Sequence, residues 1–370
     1  MKKDSVGVVL ISFLLFILAI MLLLSTISSY FYGEKFPNDN SSGDTSGEII
    51  WNFSGDYYNS GDETESGEAV EELYTGPKIF SGDSRSVAIM IDNDNKYAWP
   101  HAGLNNAYMI YEFIIEGGSS RFIAFFKEDN LPDKVGPIRS SRHYFLDYVM
   151  EHDAIYCHFG WSPLAQSDIP RLGINNINGI YDTYYWREPP KSSYHNAFSS
   201  KELIEKYIEK KHYRTTQKQD CIISFNEKDT DLPSGDSMNA TNITCKYSGS
   251  HYSSYEYDPE TKTYLRSMRG EPHVDRFTKE RFYAKNILAY QIEDKLLDDP
   301  EDKGRRELYN IGTGTGYYFT NGKAIKINWS KKSRASETKY TDMEGNELKF
   351  NDGITWVEIV PASYGNIKFE

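Results

Sequence analysis

The sequence predicts an α+β fold: a mixed α/β first domain followed by a β-rich, antiparallel C-terminal domain. The first half alternates short apolar runs with segments that open on helix-start signals. The last part instead alternates aromatic and β-branched residues with polar ones between glycine turns. Residues 76–370 are also more than one domain usually holds. We therefore expect an N-terminal α/β domain at 76–218 and a β-rich domain at 219–370.

Strands and helices are both expected in the first half. Four apolar runs bounded by Gly, Pro, Asn or Asp predict buried strands at 87–91, 109–115, 122–126 and 154–159. Three helices have recognisable starts. Ser140 or Ser141 is expected to cap the first helix, Ser162 followed by Pro163 opens the second, and a capping box that begins at Ser199 opens the third.

The last part predicts an antiparallel meander over residues 316–361. Asn321 and Gly322 separate two alternating runs, and both residues tolerate the positive φ angles of a hairpin turn. Three glycines at 312, 314 and 316 precede this hairpin and do not open a helix. We interpret them as a turn that links strands rather than as a dinucleotide loop.

The N-terminus predicts a membrane anchor. Residues 6–24 are uncharged and almost wholly apolar, which is enough for a helix that crosses a bilayer. Lys2 and Lys3 precede them, so the positive-inside rule exports the rest of the chain. We expect a transmembrane anchor at 1–32, a single-pass location in the cell membrane and an extracytoplasmic folded part. A cleaved signal peptide is the alternative. Outside the cytoplasm, Cys221 and Cys245 could pair.

A disordered acidic spacer is predicted at 33–75. This segment has eleven acidic residues against one lysine, among many Ser, Gly, Asn and Thr. Such a composition cannot bury enough apolar surface to offset chain entropy. The spacer carries most of the net charge of −13, and residues 76–370 are nearly balanced. Because no basic stripe is present, nucleic acid is not expected as a partner.

Short motifs follow one another in a familiar order along residues 76–361. They are the segments 87–93, 110–112, 116–118, 136–140, 162–163, 186–187, 195–196, 264–266 and 355–356. Together they resemble the YerB-like family of bacterial envelope lipoproteins, a domain of unknown function with its own C-terminal domain. The resemblance implies a fold and a location but no chemistry. Most relatives are tethered by a lipidated cysteine, whereas this chain has the apolar segment 6–24.

The segment 136–142 is a candidate anion site. It is predicted to be a turn that runs into a helix, whose free N–H groups would act with Arg139, Ser140 and Arg142. In the alternative, the serines only cap the helix and both arginines pair with internal carboxylates of Glu112, Glu116 or Asp153.

Other residues extend the candidate ligand site. They are Glu116, Arg121, Asp153, Arg187, His195 and Asn196. Aromatic residues around Trp161 and Trp186 suit the rings of a glycan. We therefore expect a non-catalytic module that binds an anionic or glycan ligand of the cell wall. The alternative is a hydrolase of cell-wall polymer that uses Glu116 or Asp153 as acid or base. The sequence has no H-E-x-x-H, H-x-x-E-H or G-x-S-x-G motif, so we expect neither a metal nor a cofactor.

Overall fold

The computed structural model of the chain describes residues 84–94, 97–189, 194–218, 224–226 and 228–370. The predicted anchor at 1–32, the predicted spacer at 33–75 and Cys221 lie outside the described residues. Within those ranges, no helix is both long and apolar enough to span a membrane. Cys157 and Cys245 are buried, and neither thiol is in a disulfide.

A mixed sheet of eleven strands forms the centre of the described part. Its order is β20-β19-β18-β15-β22-β2-β3-β1-β4-β5, with β9 paired to β19. The strands from the first half are β1 (Val87–Asn93), β2 (Met109–Ile114), β3 (Ser120–Phe126), β4 (Ile155–His158) and β5 (Asn176–Asn178). Those from the second half are β9 (Met238–Asn239), β15 (Asn286–Ile292), β18 (Gly312–Thr320), β19 (Lys323–Lys331), β20 (Thr338–Thr341) and β22 (Thr355–Pro361).

A second, antiparallel sheet has the order β13-β12-β11-β10-β23, with β14 paired to β12. Its strands are β10 (Asn242–Lys246), β11 (Tyr252–Asp258), β12 (Thr263–Met268), β13 (Glu271–Pro272), β14 (Tyr283–Ala284) and β23 (Asn366–Phe369). Short two-stranded pairs complete the β structure of the described residues. They are β6 (Trp186–Arg187) with β7 (Ala197–Phe198), β8 (Ser224–Phe225) with β21 (Lys349–Phe350), and β16 (Asp294–Leu296) with β17 (Arg306–Leu308).

The four strands predicted in the first half are confirmed as β1 to β4. Every residue of these strands is buried. Such continuous burial agrees with apolar runs that lack a solvated face. The α+β mixture is present, although strands far outnumber helices in the described residues.

The described residues of the first half form three α-helices: α1 (Phe145–Glu151), α2 (Pro163–Arg171) and α3 (Lys201–Lys211). Ser162 caps α2 as predicted, since its hydroxyl accepts a hydrogen bond from the backbone N–H of Ala165. The predicted cap of α3 is wrong by one residue, because Ser200 accepts from Leu203 while Ser199 donates to the carbonyl of Tyr184. Short 3₁₀ turns occur at Leu104–Asn106, Glu116–Gly118 and Glu128–Asn130.

The start predicted for the first helix is also wrong. α1 begins at Phe145 with Tyr144 as its N-cap, and no side chain caps it. Ser141 instead forms an isolated parallel bridge with Trp161. The Ser140 hydroxyl donates to the carbonyl of Phe159. Ser140 and Ser141 therefore connect the segment before α1 to residues 159–161, which follow β4.

The hairpin predicted at Asn321 and Gly322 is confirmed, because β18 and β19 pair antiparallel on either side of it. The meander ends at β20, however, and β22 leaves it to pair parallel with β15 and with β2. All seven residues of β22 are buried. A strand that is buried on both faces suits the middle of a sheet with parallel neighbours. The division at 218/219 stays a prediction, although strands from both sides of it share this sheet.

Candidate functional site

Three strands of the large sheet, β1, β4 and β5, pair in parallel and end at the same edge. Asp92 and Asn93 end β1, His158 ends β4 and Asn178 ends β5. The carboxyl ends of parallel strands are the usual ligand-binding edge of α/β sheets. This edge is therefore the first place to look for a site.

The segment 136–142 lies across this edge as extended chain. Ile138 bridges Ile91 of β1, and its N–H donates to the carbonyl of Ala197 at 2.6 Å. Gly136 has a φ of 151°, and a Cβ there would stand 2.8 Å from the Ala197 oxygen. Only glycine allows so close an approach. Since the α-helix begins at Phe145, the expected helix N-terminus at Ser140 does not contribute to the site.

Asp92 lies at the centre of the site, and its side chain has no exposed surface. The Nδ1–H of His195 donates to Oδ2 at 2.6 Å. Nε of Arg139 lies 3.4 Å from Oδ2, and a nitrogen of Arg121 lies 3.8 Å from Oδ1. Burial alone would raise the pKa of Asp92, but the hydrogen bond from His195 and the two arginine charges hold it below its usual value. The carboxyl group is therefore ionised at neutral pH.

Arg142 forms a bidentate ion pair with Glu116. Its Nε and Nη2 donate to the two carboxylate oxygens at 2.5 and 2.8 Å. Glu116 stands in the tight turn between β2 and β3, as expected from the two glycines that follow it. Burial opposes ionisation, but the Arg142 bond and charge leave the pKa of Glu116 below its usual value. The internal pairing proposed as the alternative for Arg142 is thus present.

Arg121 is buried beside this pair. Its Nη1 donates to the Ser140 carbonyl at 2.6 Å, and Nη1 of Arg142 approaches the same oxygen at 3.4 Å. Burial and then the Arg142 charge lower the pKa of Arg121 to about 10, although Asp92 acts in the opposite direction.

Arg187 lies near Arg139, since the charges of the two side chains interact. Its Nη1 donates to Oδ1 of Asn196 at 3.0 Å, and its guanidinium lies 4.6 Å from the centre of the Phe159 ring. Burial and the charge of Arg139 lower the pKa of Arg187. We call Arg121, Arg139, Arg142 and Arg187 the arginine cluster.

Asp153 is not part of the arginine cluster. It precedes β4 and so lies at the opposite edge of the sheet from Asp92. Nη2 of Arg214 donates to both of its carboxylate oxygens at 2.6 and 2.7 Å, and the N–H of Lys218 donates to one of them at 2.9 Å. The structure brings together the other predicted site residues, which are Glu116, Arg121, Arg139, Ser140, Arg142, Arg187, His195 and Asn196.

A buried pair of carboxyl groups lies behind the site. Glu112 of β2 and Glu358 of β22 are cross-strand neighbours. Arg266 donates to Glu112 at 2.5 Å, and its guanidinium lies 4.1 Å from the centre of the Trp356 ring. Burial and then the Glu358 charge raise the pKa of Glu112 from 4.5 to about 8.

Two histidines connect this pair to the site. His273 is 2.7 Å from Arg266 and 2.7 Å from His101, whose Nε2 is 2.7 Å from the Asp92 carbonyl. Burial lowers the pKa of His101 to about 3 and that of His273 well below its usual value. A continuous polar network therefore runs from the interior to β1.

Sequence reasoning did not include Asp92 among the candidate site residues. A signal was available, since Asp92 is the charged residue that directly follows the apolar run 87–91. Arg266 and His273 carry no such local signal. They reach Glu112 and His101 from more than 150 positions further along the chain, through packing that no short motif encodes.

Comparisons with known proteins agree with this architecture. Residues 74–214 match the N-terminal domain, and residues 243–357 the C-terminal domain, of DUF3048, a protein family of unknown function. A Bacillus subtilis (strain 168) protein named "Putative lipoprotein YerB" is 30% identical over 282 residues, which are 75% of this chain and 82% of that protein. The crystal structure of YerB from Bacillus subtilis matches with a TM-score of 0.67 at 28% identity, over 77% of this chain and 94% of that chain.

The comparisons thus define a class of two-domain proteins of unknown function, and one member of this class is named a putative lipoprotein. This chain belongs to the YerB-like DUF3048 family. The resemblance drawn from the motifs is confirmed.

Proposed function

We propose that this chain is an extracytoplasmic, non-catalytic binding module whose ligand carries a phosphate, sulfate or carboxylate group. The arginine cluster is the site. One observation carries the proposal: in the described residues, three guanidinium groups pair with two carboxylates, Asp92 and Glu116, and the charge of a fourth, Arg187, acts against that of Arg139. An anion would balance the excess positive charge.

Hydrogen-bonding capacity supports the same proposal. The Nε atoms of Arg121 and Arg139 are buried and have no hydrogen-bond partner among the described residues. A buried donor without a partner costs about 1–3 kcal/mol. Forked guanidinium donors match the oxygen pairs of phosphate and carboxylate. A bound oxyanion would therefore neutralise charge and satisfy donors in one step.

Within the cluster, Arg139 is the residue best placed to meet a ligand. Its side chain is 27% exposed, and its ion pair with Asp92 is long at 3.4 Å. Arg142 is 14% exposed and already bonded to both oxygens of Glu116. We assign ligand binding first to Arg139 and Arg187, and positioning of the site to Arg142 and Arg121.

The location outside the cytoplasm rests on two further observations. The related protein is named "Putative lipoprotein YerB", and lipoproteins are held at a membrane surface. The apolar segment 6–24 would serve as the tether of this chain. The acidic spacer would then hold the folded part away from the membrane.

The alternative, a hydrolase that uses Glu116 or Asp153, gains no support from the geometry. A general acid needs a raised pKa, whereas Arg142 keeps the pKa of Glu116 below its usual value. Asp153 is held by Arg214 at the opposite sheet edge. The described residues also contain no group of three or more His, Cys, Asp or Glu side chains that could hold a metal ion.

Titration with inorganic phosphate and sulfate tests the proposal. The full-length chain is kept in a polyoxyethylene detergent, which carries neither sugar nor anion, and binding is followed by calorimetry at low salt. We expect Arg139→Gln to weaken binding about tenfold or more, as the loss of one charge-assisted hydrogen bond implies.

Arg214→Gln is the matched control. Arg214 has the same exposed fraction of 27% and also pairs with an aspartate, but at the other edge of the sheet. Its replacement is expected to leave phosphate binding unchanged. Equal affinities of the parent and Arg139→Gln, or no binding by the parent, would refute the proposal.

A further inference from the structure

A surface cavity of about 470 Å³ has Trp161 among its lining residues, and none of the four arginines of the arginine cluster lines it. It is lined by α2, by the residues that follow β5 and by the end of α3. Its volume falls within the range of small-molecule sites, about 300–1,000 Å³. Nothing in the proposed anion site uses this cavity.

Two aromatic rings form one wall of the cavity. Trp161 and Tyr181 have ring centres 5.5 Å apart at an interplanar angle of 45°. Tyr181 is 71% exposed, although it is a large and partly apolar side chain. Exposed aromatic rings beside a cavity offer a flat apolar surface with a polar rim. Such a surface matches the C–H face of a sugar ring.

A sugar also needs polar groups that form hydrogen bonds with its hydroxyls, and Asn178 is one such group. Its Oδ1 accepts hydrogen bonds from the N–H groups of Gly160 and Ile180 at 3.0 and 3.1 Å. These two bonds fix which end of the amide is the oxygen. The Nδ2 donor is buried and has no partner among the described residues, and Asn178 itself is only 3% exposed. Because Asn178 lines the cavity, a ligand oxygen that reached this donor would satisfy it.

Further polar groups line the cavity without giving it a net charge. Oδ2 of Asp182 accepts bonds from the hydroxyl of Tyr207 at 3.0 Å and from the N–H of Asn178 at 3.1 Å. Lys211 supplies the opposite charge, and Gln166 adds an amide that both donates and accepts. This balance distinguishes the cavity from the arginine cluster, because it favours a neutral ligand.

We infer that this cavity binds a neutral sugar ring, stacked on Tyr181 beside the inclined ring of Trp161, with its hydroxyl groups bonded by Asn178, Asp182 and Gln166. This goes beyond the proposed function and does not rest on it. The two sites adjoin, because Gly160 contacts Ser140 on one side and Asn178 on the other. A polymer that alternates sugar rings with anionic groups could therefore reach both.

The test uses neutral sugars, so that the arginine cluster does not contribute. Chitotriose, cellotriose and maltotriose are titrated into the full-length chain in the same polyoxyethylene detergent, with saturation-transfer NMR and calorimetry as readouts. We expect at least one of them to bind with an affinity that added salt does not change. Tyr181→Ala should weaken this binding about tenfold, the value of one aromatic contact. Tyr364→Ala, which removes a 43% exposed tyrosine elsewhere, should not.

The outcomes separate this inference from the anion site. Sugar binding that survives Arg139→Gln but is lost in Tyr181→Ala supports the cavity, whatever happens with phosphate. No binding of any of the three sugars, or equal binding by Tyr181→Ala and Tyr364→Ala, overturns it. Phosphate binding that persists in Tyr181→Ala would show the anion site to be intact in the same protein.

Discussion

Glu112 shows how a single buried residue links the stability of this protein to pH. Its raised pKa keeps the carboxyl group protonated in the folded chain near neutral pH, while the unfolded chain releases that proton above about 4.5. A folded state that holds a proton more tightly than the unfolded state loses stability as pH rises. The stability given by Glu112 is complete below its unfolded pKa and is lost as pH rises through the folded value of about 8.

The buried histidines act in the opposite direction at lower pH. Burial lowers the pKa of His101 to about 3 and that of His158 to about 4, from 6.5. The unfolded chain therefore takes up protons below pH 6.5 that the folded chain does not. Stability falls as pH decreases through this range. The two effects together place the stability maximum near pH 6.5.

We predict that the free energy of unfolding falls between pH 6.5 and 8, by up to about 1.4 kcal/mol per pH unit, the limit for one proton. Urea denaturation at a series of pH values measures this slope. Glu112→Gln imitates the protonated carboxyl, so the variant should lose the slope above pH 6.5 and keep the decline below it. A parent protein equally stable at pH 6.5 and 8 would contradict the prediction.

Arg142 and Arg139 should differ in what their replacement costs. Arg142→Gln leaves the mostly buried Glu116 without its ion-pair partner. Breaking a buried pair costs about 3–5 kcal/mol. Arg139 is more exposed, its pair is longer, and the buried Asp92 keeps His195 and Arg121 as partners, so Arg139→Gln should cost less. Thermal and urea unfolding of both variants test this order. Adding Glu116→Gln to Arg142→Gln should restore part of the lost stability, because no unpaired carboxylate then remains. A larger loss of stability in Arg139→Gln than in Arg142→Gln would contradict the positioning role of Arg142.

At this scale the sequence predicted which residues gather, but it gave the pairing of Arg142 with Glu116 only as an alternative and did not predict the partner of Arg139. Arg139, Arg142 and Glu116 were recognisable because turn glycines and serines surround them. Asp153 was predicted to belong to the site but lies at the opposite edge of the sheet, because the sequence does not show which loops lie together at each edge. The partner of Arg139 is Asp92, and that pairing follows from strand register rather than from local spacing.

At the scale of elements, apolar runs predicted strands well and polar caps predicted helix starts less well. Strands β1 to β4 are buried on both faces, so their signal is strong. Serines are less specific, because their hydroxyls also bond to loop carbonyls, as Ser140 and Ser199 do. The three glycines at 312, 314 and 316 were interpreted as a turn, but they lie inside β18.

Gly316 explains why glycine occurs within that strand. A Cβ at this position would lie 2.6 Å from the Ala289 oxygen and from Cβ of Tyr290 on the neighbouring strand β15. We predict that Gly316→Ala lowers the free energy of unfolding by about 1–3 kcal/mol, the usual cost of overpacking. Gly249→Ala is the control, since no atom lies within 4 Å of a Cβ there. Denaturant unfolding compares the two, and equal stabilities would contradict the close approach.

At the scale of the whole molecule, β22 joins the two halves of the chain. It lies between β15 and β2 in the large sheet. Residues Thr355–Pro361 pair in parallel with both neighbours. The sequence predicted this segment as the end of an antiparallel meander, and the prediction was wrong because parallel pairing depends on crossovers that no local pattern reveals. The polar network crosses the same boundary, since Arg266 of the second half bonds Glu112 of the first.

We therefore predict that residues 76–218 do not form a stable fold alone, whereas residues 76–370 unfold in one cooperative transition. Without β22, the backbone groups of β2 lose their partners on one side, and an apolar strand becomes a sheet edge that favours aggregation. Glu112 also loses the buried Arg266 that bonds it. Circular dichroism, thermal melting and amide exchange of the two fragments measure this, with 76–354 as a third fragment that lacks only β22 and the residues after it. If 76–218 gives a dispersed amide spectrum and a sharp melt, the predicted boundary at 218/219 separates independently folding domains, and the central role assigned to β22 is wrong.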